Sequence, residues 1–232
     1  MSGIKNLSLV LEKHSDIFAP VVPHDLHQEN LLIFDLSANN TELKAMDLED
    51  TSAFTRYIFG KMAESDTPVS IGRYNENRAI YRRRTHFQGT ESRSIHLGID
   101  IWAEAGTEVY SPLSGKIHSF RDNKGLGDYG PTIILEHSLE DVSFYTLYGH
   151  LSGDSLLNLI KNQEINKGEK IGTIGSFPEN GDWPPHLHFQ IIADLQTYSG
   201  DFPGVAAPST VHRFLELCPD PNLILGIEKL KT

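Results

Sequence analysis

Short runs of β-branched residues separated by turn residues occupy the middle of the chain, from about residue 84 to residue 193. The runs include PTIILEHS, DVSFYTLYGHLS and HLHFQII, and Gly, Pro, Asn and Asp lie between them. Regularly spaced short strands of this kind are typical of a compact, mostly antiparallel β domain. Within it, SLLNLIKNQ is the one stretch that we expect to be helical.

The segments on either side have a different pattern. Before the β region, apolar residues at helical spacing predict helices over Ile4–Phe18 and Leu48–Met62, the second with Asp50 or Thr51 as its N-cap. LLIFDLS predicts a strand, and IGRYNENRAIYRRR predicts a hairpin that turns at residues 75–77. After it, a proline-containing stretch with one predicted helix over Val211–Leu217 is expected to wrap the core.

We therefore predict a mainly β fold, α+β overall, in three parts. An α+β amino-terminal extension covers residues 1–84, the β domain covers residues 85–195, and a carboxy-terminal tail packed on the core covers residues 196–232.

Composition argues against several classes of function. The formal net charge is -11 and the basic run Arg82–Arg83–Arg84 is short, so a nucleic-acid partner is not expected. The one cysteine, Cys218, excludes an intrachain disulfide and is expected to pack as a small apolar residue. The sequence shows no signal-peptide pattern or membrane span, so we expect a cytoplasmic location, with non-classical export left open.

Polar residues in three short blocks offer the chemistry. In HLHFQI, His186 and His188 share one face if the segment is a strand, because alternate side chains of a strand project together. Both imidazoles can then reach one metal ion, or one can bind the ion while the other acts on bound water. With 11 histidines in the chain, this motif alone is a weak signal.

The block HLGID is more informative. Its isoleucines and Gly98 favour a strand, on which His96, Gly98 and Asp100 share one face. Gly98 then removes the side chain between the two polar groups, so that an ion can lie above the glycine. An imidazole nitrogen and a carboxylate oxygen suit zinc. His150, in TLYGHLS, follows an apolar strand; alone it would only close a turn, but beside a metal site it is a candidate proton carrier.

These blocks carry a resemblance to a known family. The stretch from His96 to Ile192 resembles the lysostaphin-type zinc metallopeptidases, peptidoglycan endopeptidases that include the LytM-like domains, and it keeps their blocks in order. The resemblance implies a small antiparallel β-sandwich or barrel-hybrid core. It also implies that Zn²⁺ is bound by His96, Asp100 and His188, and that His150 and His186 are catalytic. The implied reaction is hydrolysis of an amide or peptide bond by metal-activated water, with a peptidoglycan-type peptide as the default substrate.

The sequence departs from that family in three respects. Members usually carry an export signal, and a tyrosine that stabilises the oxyanion in some members is not visible in GTESRS before His96, where Arg93 is a partial replacement. The flanks DFPGV and LCPDPNLILG are similar to the lysostaphin-like segment between a kinase-like phosphotransferase and a class III aminotransferase in large fusion proteins. Two alternatives therefore stay open: a cytosolic zinc hydrolase of a small amide or peptide linked to amine metabolism, and a non-catalytic zinc-bearing regulatory domain. No oligomeric state is predicted.

Overall fold

The computed structural model describes residues 2–82 and 91–231. The described residues form these strands: β1 (Leu32–Phe34), β2 (Ser70–Gly72), β3 (Ile95–His96), β4 (Ile99–Trp102), β5 (Glu108–Tyr110), β6 (Gly115–Asn123), β7 (Gly130–Leu139), β8 (Val142–Gly149), β9 (Glu164–Ile165), β10 (Lys170–Thr173), β11 (His186–Ile192) and β12 (Val205–Ala206). Eight of them make one sheet in the order β1-β2-β4-β11-β8-β7-β6-β9, and β10-β5 and β12-β3 make two small sheets. The predicted mainly β fold is confirmed.

Most pairs in the large sheet are antiparallel, and β1 and β2 form a parallel pair at one edge. Strand β2 also pairs with β4, so strands from the first part of the chain extend the sheet of the middle part. The predicted boundary between residues 84 and 85 lies outside the described residues. The division into three parts stays a prediction.

The helices are α1 (Ser2–Lys13), α2 (Thr41–Lys44), α3 (Thr51–Glu64), α4 (Val211–Leu217) and α5 (Asn222–Leu225). The predictions of α3 and α4 are confirmed, and Asp50 caps α3 by accepting a hydrogen bond from the backbone N–H of Ala53. Helix α1 ends five residues earlier than predicted, at Lys13. No helix of the described ranges has the length and apolar character that a bilayer span requires.

Two local predictions are wrong. The predicted hairpin after β2 does not form among its described residues, because this segment bridges to other parts of the chain: Arg78 pairs with Ser37, and Asn77 pairs with Ile95. Its residues 83 and 84 lie outside the described residues. The predicted helix in SLLNLIKNQ is only a short 3-10 turn over Gly153–Leu156. The residues after it include Asn158, whose φ of 63° is left-handed and incompatible with a continuing helix.

The alternation of side chains along β4 and β11 separates core from site. Ile99 and Ile101 of β4 pack with Leu187 and Phe189 of β11 in the main apolar core, which α1 covers. The residues between them face the opposite side of the sheet, as the period of two requires. That opposite face carries Asp100 and Trp102 from β4, and His186, His188 and Gln190 from β11.

One buried histidine of the sheet gives a test of this packing by pH. The His137 ring lies within hydrogen-bond distance of the Ser114 carbonyl and the Thr146 hydroxyl, and burial lowers the pKa of His137 from 6.5 to about 4. The His137 ring binds a proton more readily in the unfolded chain than in the folded protein. The neutral ring therefore contributes its whole stabilisation above about pH 6.5. This stabilisation falls as the pH drops towards about 4 and then levels off.

We expect the wild type to lose up to about 3 kcal/mol more unfolding free energy than His137→Gln between about pH 7 and about pH 4. Urea unfolding at a series of pH values measures this difference. His27→Gln, which replaces an exposed histidine, is the control. Identical pH profiles for wild type and His137→Gln would contradict the assignment.

Candidate metal centre

Three ligand atoms from three strands converge on the polar face of the sheet. His96 lies at the end of β3, Asp100 lies in β4, and His188 lies opposite Asp100 in β11. His96 Nε2 is 3.1 Å from Asp100 Oδ1 and 3.0 Å from His188 Nδ1, and His188 Nδ1 is 3.2 Å from Asp100 Oδ1. All three side chains are buried. These residues form a group that could hold a metal ion.

The spacing of these atoms fits zinc. A tetrahedral zinc ion with bonds of about 2.0–2.1 Å separates neighbouring ligand atoms by about 3.3 Å, close to the observed triangle. Burial and the nearby Arg78 guanidinium lower the pKa of His96 to about 3, so its ring is neutral. Burial alone would raise the pKa of Asp100, but Arg78 and the neighbouring histidines hold it well below its usual range. A neutral imidazole and a carboxylate are the protonation states that a metal ion requires.

Gly98 makes room for the third residue of this group. The prediction of one continuous strand over His96–Asp100 is wrong, because the chain bends at Leu97 and Gly98 between β3 and β4. The space above Gly98 is occupied by the ring of His188, and a Cβ at residue 98 would lie 2.6 Å from two ring atoms and 2.8 Å from the Phe189 carbonyl. Glycine is therefore needed at residue 98 because β11 approaches the chain closely there. It does not serve, as predicted, to leave a gap between two ligands of one strand.

Hydrogen bonds fix which nitrogen of each ring faces the shared point. His96 Nδ1 lies 2.9 Å from the carbonyl oxygen of Arg73, to which it donates, and this leaves the lone pair on Nε2. His188 Nε2 lies 2.8 Å from Gln190 Oε1, which leaves the lone pair on Nδ1. Gln190 is buried, and its amide nitrogen donates to the Pro203 carbonyl. Contacts of this type orient metal-binding histidines in proteins.

The other two predicted histidines lie beside this triangle. The rings of His150 and His186 are 4.2 Å apart, and His186 Nε2 is 3.9 Å from Asp100 Oδ1. His150 Nδ1 donates to the Asn180 carbonyl at 2.7 Å, and His186 Nδ1 donates to the Pro184 carbonyl at 2.7 Å. In the neutral rings the lone pair is therefore on Nε2. Burial lowers the pKa of His186 to about 4 and lowers the pKa of His150 well below its ordinary value.

The five predicted residues thus lie together, and four of them, Asp100, His150, His186 and His188, border a cavity of about 260 Å³. Trp102 stacks on the His186 ring with centroids 4.2 Å apart. His150 itself has a left-handed φ of 63°, held by hydrogen bonds of its backbone N–H to Tyr129 and of its carbonyl to Gly175. The aromatic residues that line the cavity are Tyr81, Trp102, Tyr129, Trp183, Tyr198 and Phe202. A substrate in this cavity would contact flat apolar surfaces around a polar centre.

Comparison with known proteins assigns the segment that holds this centre. Residues 94–199 match the model of peptidase family M23. The chain contains a peptidase family M23 domain. This domain makes up under half of the chain, and it includes all five predicted residues. The resemblance to lysostaphin-type peptidases is therefore confirmed for this segment.

Two curated relatives are similar to part of this chain. The chain is 38% identical over 94 residues to the Uncharacterized lipoprotein YgeR of Escherichia coli (strain K12), a match that covers 40% of this chain and 33% of that protein. It is 31% identical over 104 residues to the Cell division protein DipM of Caulobacter vibrioides, covering 45% of this chain and 15% of that protein. The chain therefore spans a third or less of the length of these relatives.

A solved structure of the catalytic domain of the antimicrobial peptidase lysostaphin from Staphylococcus simulans is also similar. It is 25% identical, and the match covers 55% of this chain and 86% of that chain with a TM-score of 0.36.

Several residues of the site were missed in the sequence. Tyr129 places its hydroxyl 3.3 Å from His188 Nε2, and Tyr81 lines the cavity. Arg78 contacts Asp100 from outside the M23 domain. Arg93, expected to replace a missing tyrosine in part, does line the cavity. The tyrosines carried no local motif, and Arg78 lies in a charged stretch that suggested a hairpin.

The close fit at Gly98 predicts the effect of adding one methyl group. Gly98→Ala should displace the His188 ring, weaken zinc binding at least about tenfold and lower stability by about 1–3 kcal/mol. Zinc titration and thermal unfolding measure both effects. Gly60→Ala, where an added Cβ meets nothing within 4 Å, is the matched control. Undiminished zinc binding in Gly98→Ala would contradict the tight packing of His188 on Gly98.

Proposed function

We propose that this chain is a zinc-dependent metalloendopeptidase that hydrolyses an amide bond in a peptide of the peptidoglycan type. The observation that carries the proposal is the triangle of His96 Nε2, Asp100 Oδ1 and His188 Nδ1, whose edges are 3.0–3.2 Å, with two further imidazoles beside it. The match to peptidase family M23 supports the same reaction class.

The three atoms of the triangle would hold the ion. When bound, zinc supplies a Lewis acid that polarises a substrate carbonyl and lowers the pKa of a coordinated water to about 7. Two imidazoles and one carboxylate are ligands that catalytic zinc sites use. A peptide substrate would reach them through the adjoining cavity.

His150 and His186 are suited to moving protons. Each ring donates through Nδ1 to a backbone carbonyl, so that Nε2 of the neutral ring can accept a proton from the attacking water. The proton can then pass to the amine that leaves as the C–N bond breaks. Their ring centroids are 4.2 Å apart, so both rings are close enough to serve one reacting centre.

Residues around the cavity would stabilise the charge that develops on the carbonyl oxygen. Tyr81, Tyr129 and Arg93 line the cavity and are hydrogen-bond donors by chemistry. Donors fixed in a buried site stabilise a developing oxyanion more than water does. They would take the part that a tyrosine before His96 plays in some members of the resembled family.

The flanks support a second candidate function. Their similarity to segments of fusion proteins with phosphotransferase and aminotransferase parts favours hydrolysis of a small amide or peptide linked to amine metabolism. A purely regulatory zinc domain is less well supported, because a binding role does not require His150 and His186 beside the ligands.

The cellular location expected for the protein depends on which of the two substrate classes it hydrolyses. One of the two relatives is named a lipoprotein and the other a cell division protein, and both names favour the cell envelope. We propose the envelope, in keeping with a peptidoglycan-type substrate, and fractionation of the source cells tests it: recovery only in the cytoplasmic fraction would favour the small-amide alternative.

The division of roles among the histidines is testable by substitution. His188→Ala should abolish stoichiometric zinc, because it removes one of three ligand atoms. His150→Ala and His186→Ala should keep zinc bound but lower turnover by about 10²–10⁴-fold, the usual share of a general acid or base. Metal analysis by mass spectrometry and peptidase assays measure the two effects. Full zinc content in His188→Ala would refute the ligand set, and undiminished turnover in both other variants would refute their roles.

The substrate class is tested with the zinc-loaded wild type. We expect it to cleave soluble peptidoglycan fragments, and His188→Ala, matched for concentration, to leave them intact. Mass spectrometry of the products identifies the broken bond. Cleavage of short unrelated peptides or amides alone would support the second candidate. Absence of cleavage in both panels would contradict the enzymatic proposal.

A further inference from the structure

A fully buried arginine reaches the metal-site carboxylate from outside the M23 domain. Arg78 is 0% exposed, and its Nη1 donates to Asp100 Oδ2 at 2.5 Å. The other carboxylate oxygen, Oδ1, faces His96 Nε2 at 3.1 Å and His188 Nδ1 at 3.2 Å. The two oxygens of Asp100 therefore have different partners: one faces the guanidinium and the other faces the candidate metal position.

Arg78 is itself held on several sides. Its Nε donates to Glu76 Oε2 at 3.0 Å, its Nη2 donates to the Arg73 carbonyl at 3.2 Å, and its Nη1 also lies 3.1 Å from the Tyr81 hydroxyl. Glu76 is fixed in turn, because its Oε1 accepts a hydrogen bond from the backbone N–H of Leu36 at 3.0 Å. A guanidinium with this many fixed partners presents its fork to Asp100 in one orientation.

The same short segment also holds the other ligand of the HLGID block. The Arg73 carbonyl accepts the Nδ1 proton of His96, and the Glu76 carbonyl accepts the backbone N–H of His96 at 3.0 Å. Gly72 lies opposite Asp100 in the β2–β4 pair, and a Cβ there would lie 2.6 Å from Arg78 Nη2. Residues 72–78 thus contact both His96 and Asp100, although they precede the M23 domain at 94–199.

We infer that Arg78 is a positioning residue that turns Asp100 so that a single oxygen, Oδ1, faces the metal ion, and that residues 72–78 form part of the metal centre. This inference rests on the proposed zinc site. It gives the amino-terminal part of the chain a specific role, since that part completes the arrangement around two of the three ligands.

Arg78 has two opposite effects on zinc affinity. A cation near the site repels zinc, whereas a fixed hydrogen bond holds the ligand in the binding orientation. Glu76 lies 3.0 Å from Arg78 and balances its charge, so that the pair is close to neutral as seen by the ion. The orienting effect should therefore dominate. Loss of such a second contact usually weakens metal binding about 10–100-fold.

The main test is the double variant Arg78→Met with Glu76→Gln. The glutamine can still accept the Leu36 N–H through its carbonyl oxygen, and the second substitution ensures that a charged Glu76 is not left buried without Arg78. Arg73→Met is the matched control, because the Arg73 side chain is exposed and only its backbone carbonyl serves the site. Zinc affinity is measured by competition with a chromogenic chelator, and the Co²⁺-substituted proteins are compared by visible absorption.

We expect the double variant to bind zinc about 10–100-fold more weakly than wild type, and Arg73→Met to bind within about twofold of it. The Co²⁺ spectrum should change in the double variant and not in the control, because Asp100 no longer presents one fixed oxygen. Thermal unfolding of the metal-free proteins shows that both are folded. A changed Co²⁺ spectrum in a variant that is folded therefore reports a change at the metal ligands and not a general loss of structure.

Arg78→Lys gives an independent test if the double variant does not fold. Lysine keeps the charge beside Glu76 but lacks the planar fork, so we again expect at least about tenfold weaker zinc binding and an altered Co²⁺ spectrum. Zinc affinity within twofold of wild type and an unchanged Co²⁺ spectrum in a folded variant would overturn the positioning role of Arg78. The proposed zinc site would not be affected by that result. Failure of the wild type to bind zinc stoichiometrically would instead overturn the metal site, and with it both proposals.

Discussion

A carboxylate oxygen and two imidazole nitrogens meet within 3.2 Å of one another on a buried face of the central sheet. Electron-rich atoms this close, with their lone pairs directed at one point, are unfavourable unless a cation balances them. The pairing of β4 with β11 sets His188 opposite Asp100, and the bend at Gly98 lets the His188 ring approach. The rest of the site depends on this convergence, because His150 and His186 are useful to catalysis only beside an activated centre.

A surrounding set of hydrogen bonds decides how the histidines take part. In each of the four site histidines, the ring nitrogen that faces away from the reaction centre is engaged. The partners are the carbonyl oxygens of Arg73, Asn180 and Pro184, and the side chain of Gln190. These partners come from separate segments, and one of them, Gln190, is held by Pro203 beyond the M23 domain. The orientation of the imidazoles is therefore a property of the folded chain on both sides of that domain.

The sequence predicted which residues of the site lie together better than it predicted their surroundings. The alternation in HLHFQI gave the correct face for His186 and His188, and Asp100 and His150 came from blocks with a recognisable order. Arg78 could not be predicted, because its importance lies in a contact with a residue 22 positions away. The hairpin prediction failed for the same reason: residues 77 and 78 pair with Ile95 and Ser37, partners that local turn residues do not indicate. In SLLNLIKNQ, apolar spacing suggested a helix, but a left-handed asparagine ends it.

The measurement that tests the metal centre most directly is anomalous diffraction at the zinc absorption edge from crystals of the zinc-loaded protein. We predict one strong anomalous peak about 2.0–2.2 Å from His96 Nε2, Asp100 Oδ1 and His188 Nδ1, with Asp100 Oδ2 still bonded to Arg78. A zinc peak at another position, or no peak near these three atoms in crystals soaked with zinc, would contradict the account.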